Sequence, residues 1–143
     1  MGHKIHIASD HGGYSLKVFL KNFLTEEGYD VDDLGTFSED PVDYPDFGKK
    51  AAKAVLNDDN PGIIICGTGI GISISANRYK GIRAALCHCE EYAKLTRLHN
   101  NANILALGGR FTSEEEAKKI VKAFLETKFE GGRHKNRIEM MDI

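Results

Sequence analysis

Apolar positions along this chain fall into two alternating patterns, short runs rich in β-branched residues and longer stretches repeating at helical spacing. Lys4 to Ser9 reads as a strand ending in Asp10-His11-Gly12-Gly13; Leu16, Phe19, Leu20, Phe23 and Leu24 then recur every three or four residues until Gly28. Asp30 to Leu34 reads as a weaker strand, with Gly35 opening a loop. Asp43 to Leu56 reads as a helix with Pro45 in its first turn, where a missing N–H does no harm. Gly62-Ile63-Ile64-Ile65-Cys66 is an unbroken apolar run, the pattern of a strand covered on both faces. After the loop Gly67-Thr68-Gly69-Ile70-Gly71, the spacing of Ile72, Ser75, Ala76 and Tyr79 predicts a short helix. Ile82 to Cys87 predicts a fourth strand, Glu90 to His99 a helix, and Asn103 to Leu107 a fifth strand ending at Gly108-Gly109-Arg110. Ser113 and Glu116 form a capping box ahead of the stripe Ala117, Ile120, Val121, Phe124 and Leu125. Gly131-Gly132 breaks that helix, and a basic tail follows.

Five strands separated by helices predict an α/β fold: a three-layer αβα arrangement with a five-stranded parallel sheet, Rossmann-like, as a single domain over 1–143 with a C-terminal helical tail. No repeat, low-complexity stretch or linker interrupts it. In such folds ligands bind beyond the carboxyl ends of the strands. That rule selects Asp10-His11, Cys66 to Gly71, Cys87 to Cys89 and Gly108 to Arg110. Composition narrows the class further: with 143 residues, 41% hydrophobic and 28% charged, the chain has an ordinary globular balance. A net charge of −2 gives no general attraction to nucleic acid or anionic membrane, and no apolar run approaches the roughly 20 residues that span a bilayer. There is no signal-peptide layout, and the Met1-Gly2 start lacks the Ser or Thr at position 6 that acylation there requires, since His6 occupies it. A cytoplasmic protein with three reduced cysteines is the expectation.

Three glycines in five residues, between a buried strand and a helix, let backbone N–H groups converge on an anion. The same spacing also suits a plain tight turn; it matches neither the phosphate loop of nucleotide hydrolases nor the dinucleotide fingerprint. Cys66, immediately before the loop, adds chemistry. At a strand end beside a helix N-terminus a thiolate is favoured, although a cysteine there can equally be a small buried hydrophobe. Thr68 offers a hydroxyl for proton transfer. Asp10 and His11 are either an N-cap pair or an acid–base pair, and His99-Asn100 either a favourable charge at a helix C-terminus or a border of the crevice holding Cys66. If the tail is helical, Arg133 and Arg137 share a face at i, i+4 and match a phosphate dianion, although charge runs are also often simply solvated. Cys87-His88-Cys89 lacks a second Cys/His pair at zinc-site spacing and reads as the end of a core strand.

Asp10-His11-Gly12-Gly13, Asp43-Tyr44-Pro45, Cys66-Gly67-Thr68-Gly69-Ile70-Gly71, Ala76-Asn77-Arg78, Gly81-Ile82-Arg83-Ala84, His99-Asn100-Asn101-Ala102-Asn103 and Gly131-Gly132-Arg133-His134 together resemble the type B ribose-5-phosphate isomerases, a family that includes the galactose-6-phosphate isomerase subunits. The resemblance runs over essentially the whole chain. It implies an enzyme without metal or cofactor that interconverts ribose 5-phosphate and ribulose 5-phosphate, as a homodimer or dimer of dimers with shared active sites. It implies Cys66 as the base, the main-chain N–H groups from Gly67 through Gly69 and Ile70 to Gly71 as the enediolate trap, and Thr68 as a proton shuttle. His99, assisted by Asp10, opens the sugar ring and Asn100 orients the sugar. Arg110, Arg133 and Arg137 bind the phosphate, with His11 and His134 as neighbours, some reaching across from a partner. Family members that lack the cysteine place a glutamate where Ile72 stands, so only the cysteine route is open here. Two other readings remain: an isomerase of hexose 6-phosphates such as allose or galactose 6-phosphate, and a non-catalytic phosphometabolite-binding module.

Overall fold

A computed structural model describes residues 3–143; Met1 and Gly2, the start considered above for acylation, lie outside the described residues. The apolar runs become β1 (Lys4–Ser9), β2 (Asp30–Asp33), β3 (Gly62–Cys66), β4 (Ala84–Leu86) and β5 (Ile104–Gly108). All pair in parallel, in the order β2-β1-β3-β5-β4. The helices are α1 (Tyr14–Glu26), α2 (Tyr44–Asp58), α3 (Ile70–Ala76), α4 (Glu90–Asn100), α5 (Glu114–Glu126) and α6 (Arg133–Glu139). No described helix is long and apolar enough to cross a membrane.

Strand alternation divides the core between two faces. Ile5, Ile7, Ile63, Ile65, Leu105 and Leu107 meet Leu16, Leu20 and Leu24 of α1, Ala93 of α4 and the stripe of α5. On the other face Ala8, Ile64, Ile104 and Ala106 meet Phe47, Ala51 and Val55 of α2 and Ile72 and Ala76 of α3. Every residue of β3 and β5 is buried, as expected for strands covered on both sides. This is the three-layer α/β sandwich that the sequence predicts. The chain leaves β1 toward β2 on one side and returns to β3 on the other, so the strand order reverses between β1 and β3. That reversal opens a crevice at their carboxyl ends.

Three elements differ from the sequence reading by two or more residues at a boundary. β4 spans only Ala84–Leu86 rather than Ile82 to Cys87, because the Ile82 N–H closes a turn on Tyr79 and the Arg83 N–H donates to the Asn103 side chain at 2.8 Å. Helix α3 begins at Ile70, so Ile70 and Gly71, read above as loop, form its first turn, and it stops at Ala76 rather than reaching Tyr79. Helix α2 runs on to Asp58, where that residue meets β1: His6, 2% exposed, lies with Nδ1 2.7 Å from Asp32 and Nε2 2.9 Å from Asp58. A neutral imidazole can donate to only one of two such carboxylates. The capping Ser113 accepts the Glu116 N–H at 3.1 Å, as the sequence predicts.

Candidate active site

At the carboxyl edge of the sheet, the turns after β1, β3 and β5 lie directly on one another. The Gly109 N–H donates to the Cys66 carbonyl at 2.8 Å and the Arg110 N–H to that of Gly67 at 3.0 Å, while the Asp10 N–H reaches the Ile65 carbonyl at 3.2 Å. There is no room for side chains between them: a Cβ on Gly109 would lie 2.7 Å from the Gly12 carbonyl oxygen. The sequence places glycine where two backbones touch, and the touching backbones bring Asp10, His11, Cys66, Thr68 and Arg110 to one crevice.

Cys66 ends β3 with 4% of its surface exposed, and its Sγ accepts the Gly69 N–H at 3.1 Å. The sulfur therefore faces the loop amides, and this bond strengthens as the sulfur takes negative charge. The Ile70 N–H donates to the Thr68 hydroxyl oxygen at 3.1 Å, which leaves the Thr68 O–H free to donate outward from an exposed side chain. The loop amides divide accordingly. Those of Gly69 and Ile70 are engaged within the loop, and those of Gly67, Thr68 and Gly71 have no partner among the described residues. Of the five amides from Gly67 to Gly71 expected to face an oxyanion, three are thus free to do so, because the other two fix the sulfur and the hydroxyl.

The walls of the crevice are close. A Cβ on Gly67 would lie 2.9 Å from a guanidinium nitrogen of Arg110, and one on Gly71 2.5 Å from the Tyr44 ring. Tyr44 is a wall residue that the sequence reading left out of its site; its signal is an aromatic at the start of α2 in Asp43-Tyr44-Pro45. Asp10 is an N-cap, its Oδ1 accepting the Gly13 N–H at 3.1 Å. His11 accepts the Val42 N–H on Nδ1 at 3.2 Å, so its proton sits on Nε2.

The other candidate residues lie at the opposite edge. Helix α4 runs back along the sheet and ends beside the amino ends of the strands, where Arg83 Nε donates to the Asn100 and Asn101 carbonyls at 3.1 and 3.0 Å. Arg97 pins the same turn through the Asn101 side chain and the Ala102 carbonyl, at 2.8 and 2.7 Å. The Gly62 N–H bonds to the Asn103 carbonyl here, whereas Cys66 pairs with Gly108 at the far end. Four residues of extended strand, about 13 Å, separate the two levels. Helix α6 packs against α4 and brings Arg133, His134 and Arg137 to the His99 side: the His99 and His134 rings stack with centroids 4.4 Å apart and planes 16° from parallel.

Two sequence expectations are corrected by this. Within one chain, His99-Asn100 do not border the crevice of Cys66, and Asp10 does not touch His99, because α4 carries them a full strand length away. The three arginines divide likewise, Arg110 at the carboxyl edge and Arg133 and Arg137 at the amino edge. The candidate residues therefore form two groups, one at either end of the sheet.

Two clusters of metal-ligating residue types bear on chemistry. His99, Glu130 and His134 bring ligand atoms within 4.8 Å of one another, but the near-parallel rings aim their in-plane lone pairs side by side rather than at one point. Cys87 is a buried thiol that burial, with Cys89 nearby, pushes up to about 11, so it is a protonated core residue at neutral pH.

Residues 5–141 match the family model for Ribose/Galactose Isomerase. The chain is 46% identical over 137 residues to the ribose-5-phosphate isomerase B of Escherichia coli (strain K12), covering 95% of this chain and 92% of that protein. The crystal structure of a ribose 5-phosphate isomerase from Thermotoga maritima superposes with a TM-score of 0.98 at 52% identity, covering 99% of both chains. A ribose-5-phosphate isomerase B from Mycoplasma genitalium, solved with bound ribulose-5-phosphate, has a TM-score of 0.91 at 45% identity, covering 97% of this chain and 93% of that one.

Proposed function

The chain belongs to the ribose/galactose isomerase family, and from that membership we propose that it is an aldose–ketose isomerase interconverting ribose 5-phosphate and ribulose 5-phosphate. Binding of the ketose by a relative that shares this fold supports the pentose substrate over a hexose 6-phosphate. A phosphorylated sugar of central metabolism also fits residence in the cytoplasm.

The two groups at opposite sheet edges support a dimer, or dimer of dimers, whose subunits pair antiparallel about a two-fold axis. In a two-fold arrangement the carboxyl edge of each subunit meets the amino edge of its partner, and two complete sites form at once. In each, Cys66, the loop and Arg110 come from one chain, and the tail over 131–143 completes the phosphate site from the other. His99 of the partner subunit, beside Asp10, opens the furanose, and Asn100 of the partner subunit orients the open chain. The phosphate lies among Arg110, Arg133 and Arg137, with His11 and His134 beside it.

The Cys66 thiolate takes the proton from C2, and the electron pair moves through the C1–C2 bond onto the carbonyl oxygen, giving an enediolate. The amides of Gly67, Thr68 and Gly71 face that charge as it forms, a preorganised arrangement worth ~3 kcal/mol per donor. Thr68 passes a proton between O1 and O2, and Cys66 returns its proton to C1. The observation that carries this reading is the Cys66 sulfur bonded to a loop amide at 3.1 Å, beside three uncommitted ones. Cys66→Ala tests it. Exchange of the ribose 5-phosphate C2 proton with deuterated solvent should fall by at least ~1,000-fold, while calorimetric affinity for the sugar phosphate stays within a few-fold. Retained exchange in that variant removes Cys66 as the base.

A further inference from the structure

Helix α4 carries both His99 and Asn100 in its last turn, so whatever fixes that turn fixes two of the candidate groups. A helix end leaves its last carbonyls without partners inside the helix. The turn itself closes two of them: the Asn101 N–H reaches the Arg97 carbonyl at 3.3 Å and the Ala102 N–H that of Thr96 at 3.2 Å, with Asn101 at a φ of +46°. Four more are taken by other donors. The Glu130 N–H donates to the Leu98 carbonyl at 3.1 Å and Arg97 Nη1 to that of Ala102 at 2.7 Å. Arg83, just before β4, gives its one Nε–H to the carbonyls of Asn100 and Asn101 together, at 3.1 and 3.0 Å.

Arg83 is anchored at its own end. Its backbone N–H donates to the Asn103 side chain at 2.8 Å, its carbonyl accepts the Asn103 and Ile104 N–H groups at 3.0 and 3.3 Å, and its Nη1 reaches the Gly81 carbonyl at 3.4 Å. A second guanidinium stands nearby: Arg97 is held below its ordinary value, by burial first and by Arg83 second. Two cations on one turn repel, and the partial negative charge of a helix C-terminus offsets that repulsion. The Asn100 side chain, by contrast, is exposed and makes no hydrogen bond among the described residues, so its direction comes from its backbone alone. We propose that Arg83 is a positioning residue for the sugar: by holding the Asn100 carbonyl it aims the Asn100 side chain of the same chain at the open-chain substrate. This rests on the reading of Asn100 as the group that orients the sugar.

Ribulose 5-phosphate supplies the probe. With its O5 esterified, its C2 ketone has no hydroxyl placed to close a furanose, so the sugar arrives open and ring opening by His99 drops out of the measurement. Arg83→Met puts a methyl group where Nε stands. Exchange of the ribulose 5-phosphate C1 protons with solvent should then slow about tenfold, since a small misplacement of a positioning group is costly. Arg83→Gln returns an N–H donor to that place without the charge, and should keep exchange within about threefold of the parent. In an Asn100→Ala background Arg83→Met should cost less than about twofold more, because the group it aims is gone. A merely structural Arg83 would slow exchange by the same factor in both backgrounds, and in the Met and Gln variants alike; either outcome, or an unaltered Arg83→Met, overturns the proposal. Should Arg83→Met not fold, Arg83→Lys, which keeps the charge but sets a methylene at the Nε position, takes its place in the same cycle. If Asn100→Ala alone leaves exchange unchanged, Asn100 does not orient the sugar and the proposal falls with that reading. If Asn100→Ala slows exchange and Arg83→Met does not, the role of Arg83 alone is wrong.

Discussion

Gly67 and Gly13 are both too crowded for a side chain, but what crowds them differs. A Cβ on Gly67 meets the end of the Arg110 side chain, which can swing aside, whereas one on Gly13 would lie 2.7 Å from the carbonyl carbon of Ile65, which β3 holds in place. Gly67→Ala should therefore leave the melting temperature nearly unchanged and raise KM for the sugar phosphate several-fold by displacing the guanidinium proposed to bind phosphate. Gly13→Ala should lower stability by ~3 kcal/mol, read by chemical denaturation. Equal melting temperatures for the two variants would contradict this. Cys66 and its glycines are contiguous in sequence, which is why their chemistry is legible there. The division of amides is not legible, because whether an N–H faces solvent or a neighbouring sulfur depends on the turn's dihedral angles. The stacking of His99 on His134 is hidden for a stronger reason: 35 residues separate them, and only the positive φ values at Gly131 and Gly132 bring them together.

At the level of elements, periodicity locates the five strands and helices α1 to α5, and the β4 boundary is missed where a side chain takes up backbone groups. Asn103 takes the Arg83 N–H and donates to the Gly81 carbonyl, so β4 starts two residues later than its apolar run. The His6 junction joins β1, β2 and α2 through side chains alone, and it makes stability depend on pH. Burial pushes the Asp58 carboxyl up, but hydrogen bonds from His6 and Asn60 outweigh it and hold the group down at about 2 instead of 3.8. A carboxyl depressed on folding contributes stability above its unfolded value and loses it as pH falls through the folded one. With Asp58 27% exposed, the contribution at pH 7 is ~1 kcal/mol after solvent screening. Asp58→Asn should be less stable by that amount at neutral pH, and denaturation midpoints of the two proteins should converge between about pH 4 and pH 2. A gap that persists unchanged at pH 2 would show that packing, not charge, is lost.

For the whole molecule, the sheet order is what separates the candidate catalytic groups. Strands β1, β3 and β5 aim their turns at one pole, and helix α4, returning antiparallel, delivers His99 and Asn100 to the other. A sequence lists Cys66 and His99 in one line and gives no sign that a strand length lies between them, so their chemistry is legible there and their separation is not. Complementation tests the proposed antiparallel pairing directly. Cys66→Ala and His99→Asn should each turn over ribose 5-phosphate poorly alone. When they are unfolded and refolded together in equal amounts, half the dimers are mixed and each holds one intact site, restoring about a quarter of the parent activity. No recovery would place both residues in the site of a single chain. The proposed pairing also ties turnover to abundance. On it a lone subunit owns both halves of the machinery and no working whole, so specific activity should decline on dilution below the dissociation constant of the dimer while every molecule stays folded; circular dichroism should remain constant while the rate per chain falls. The cell would then meter this activity by how often two copies meet, as well as by how many it makes.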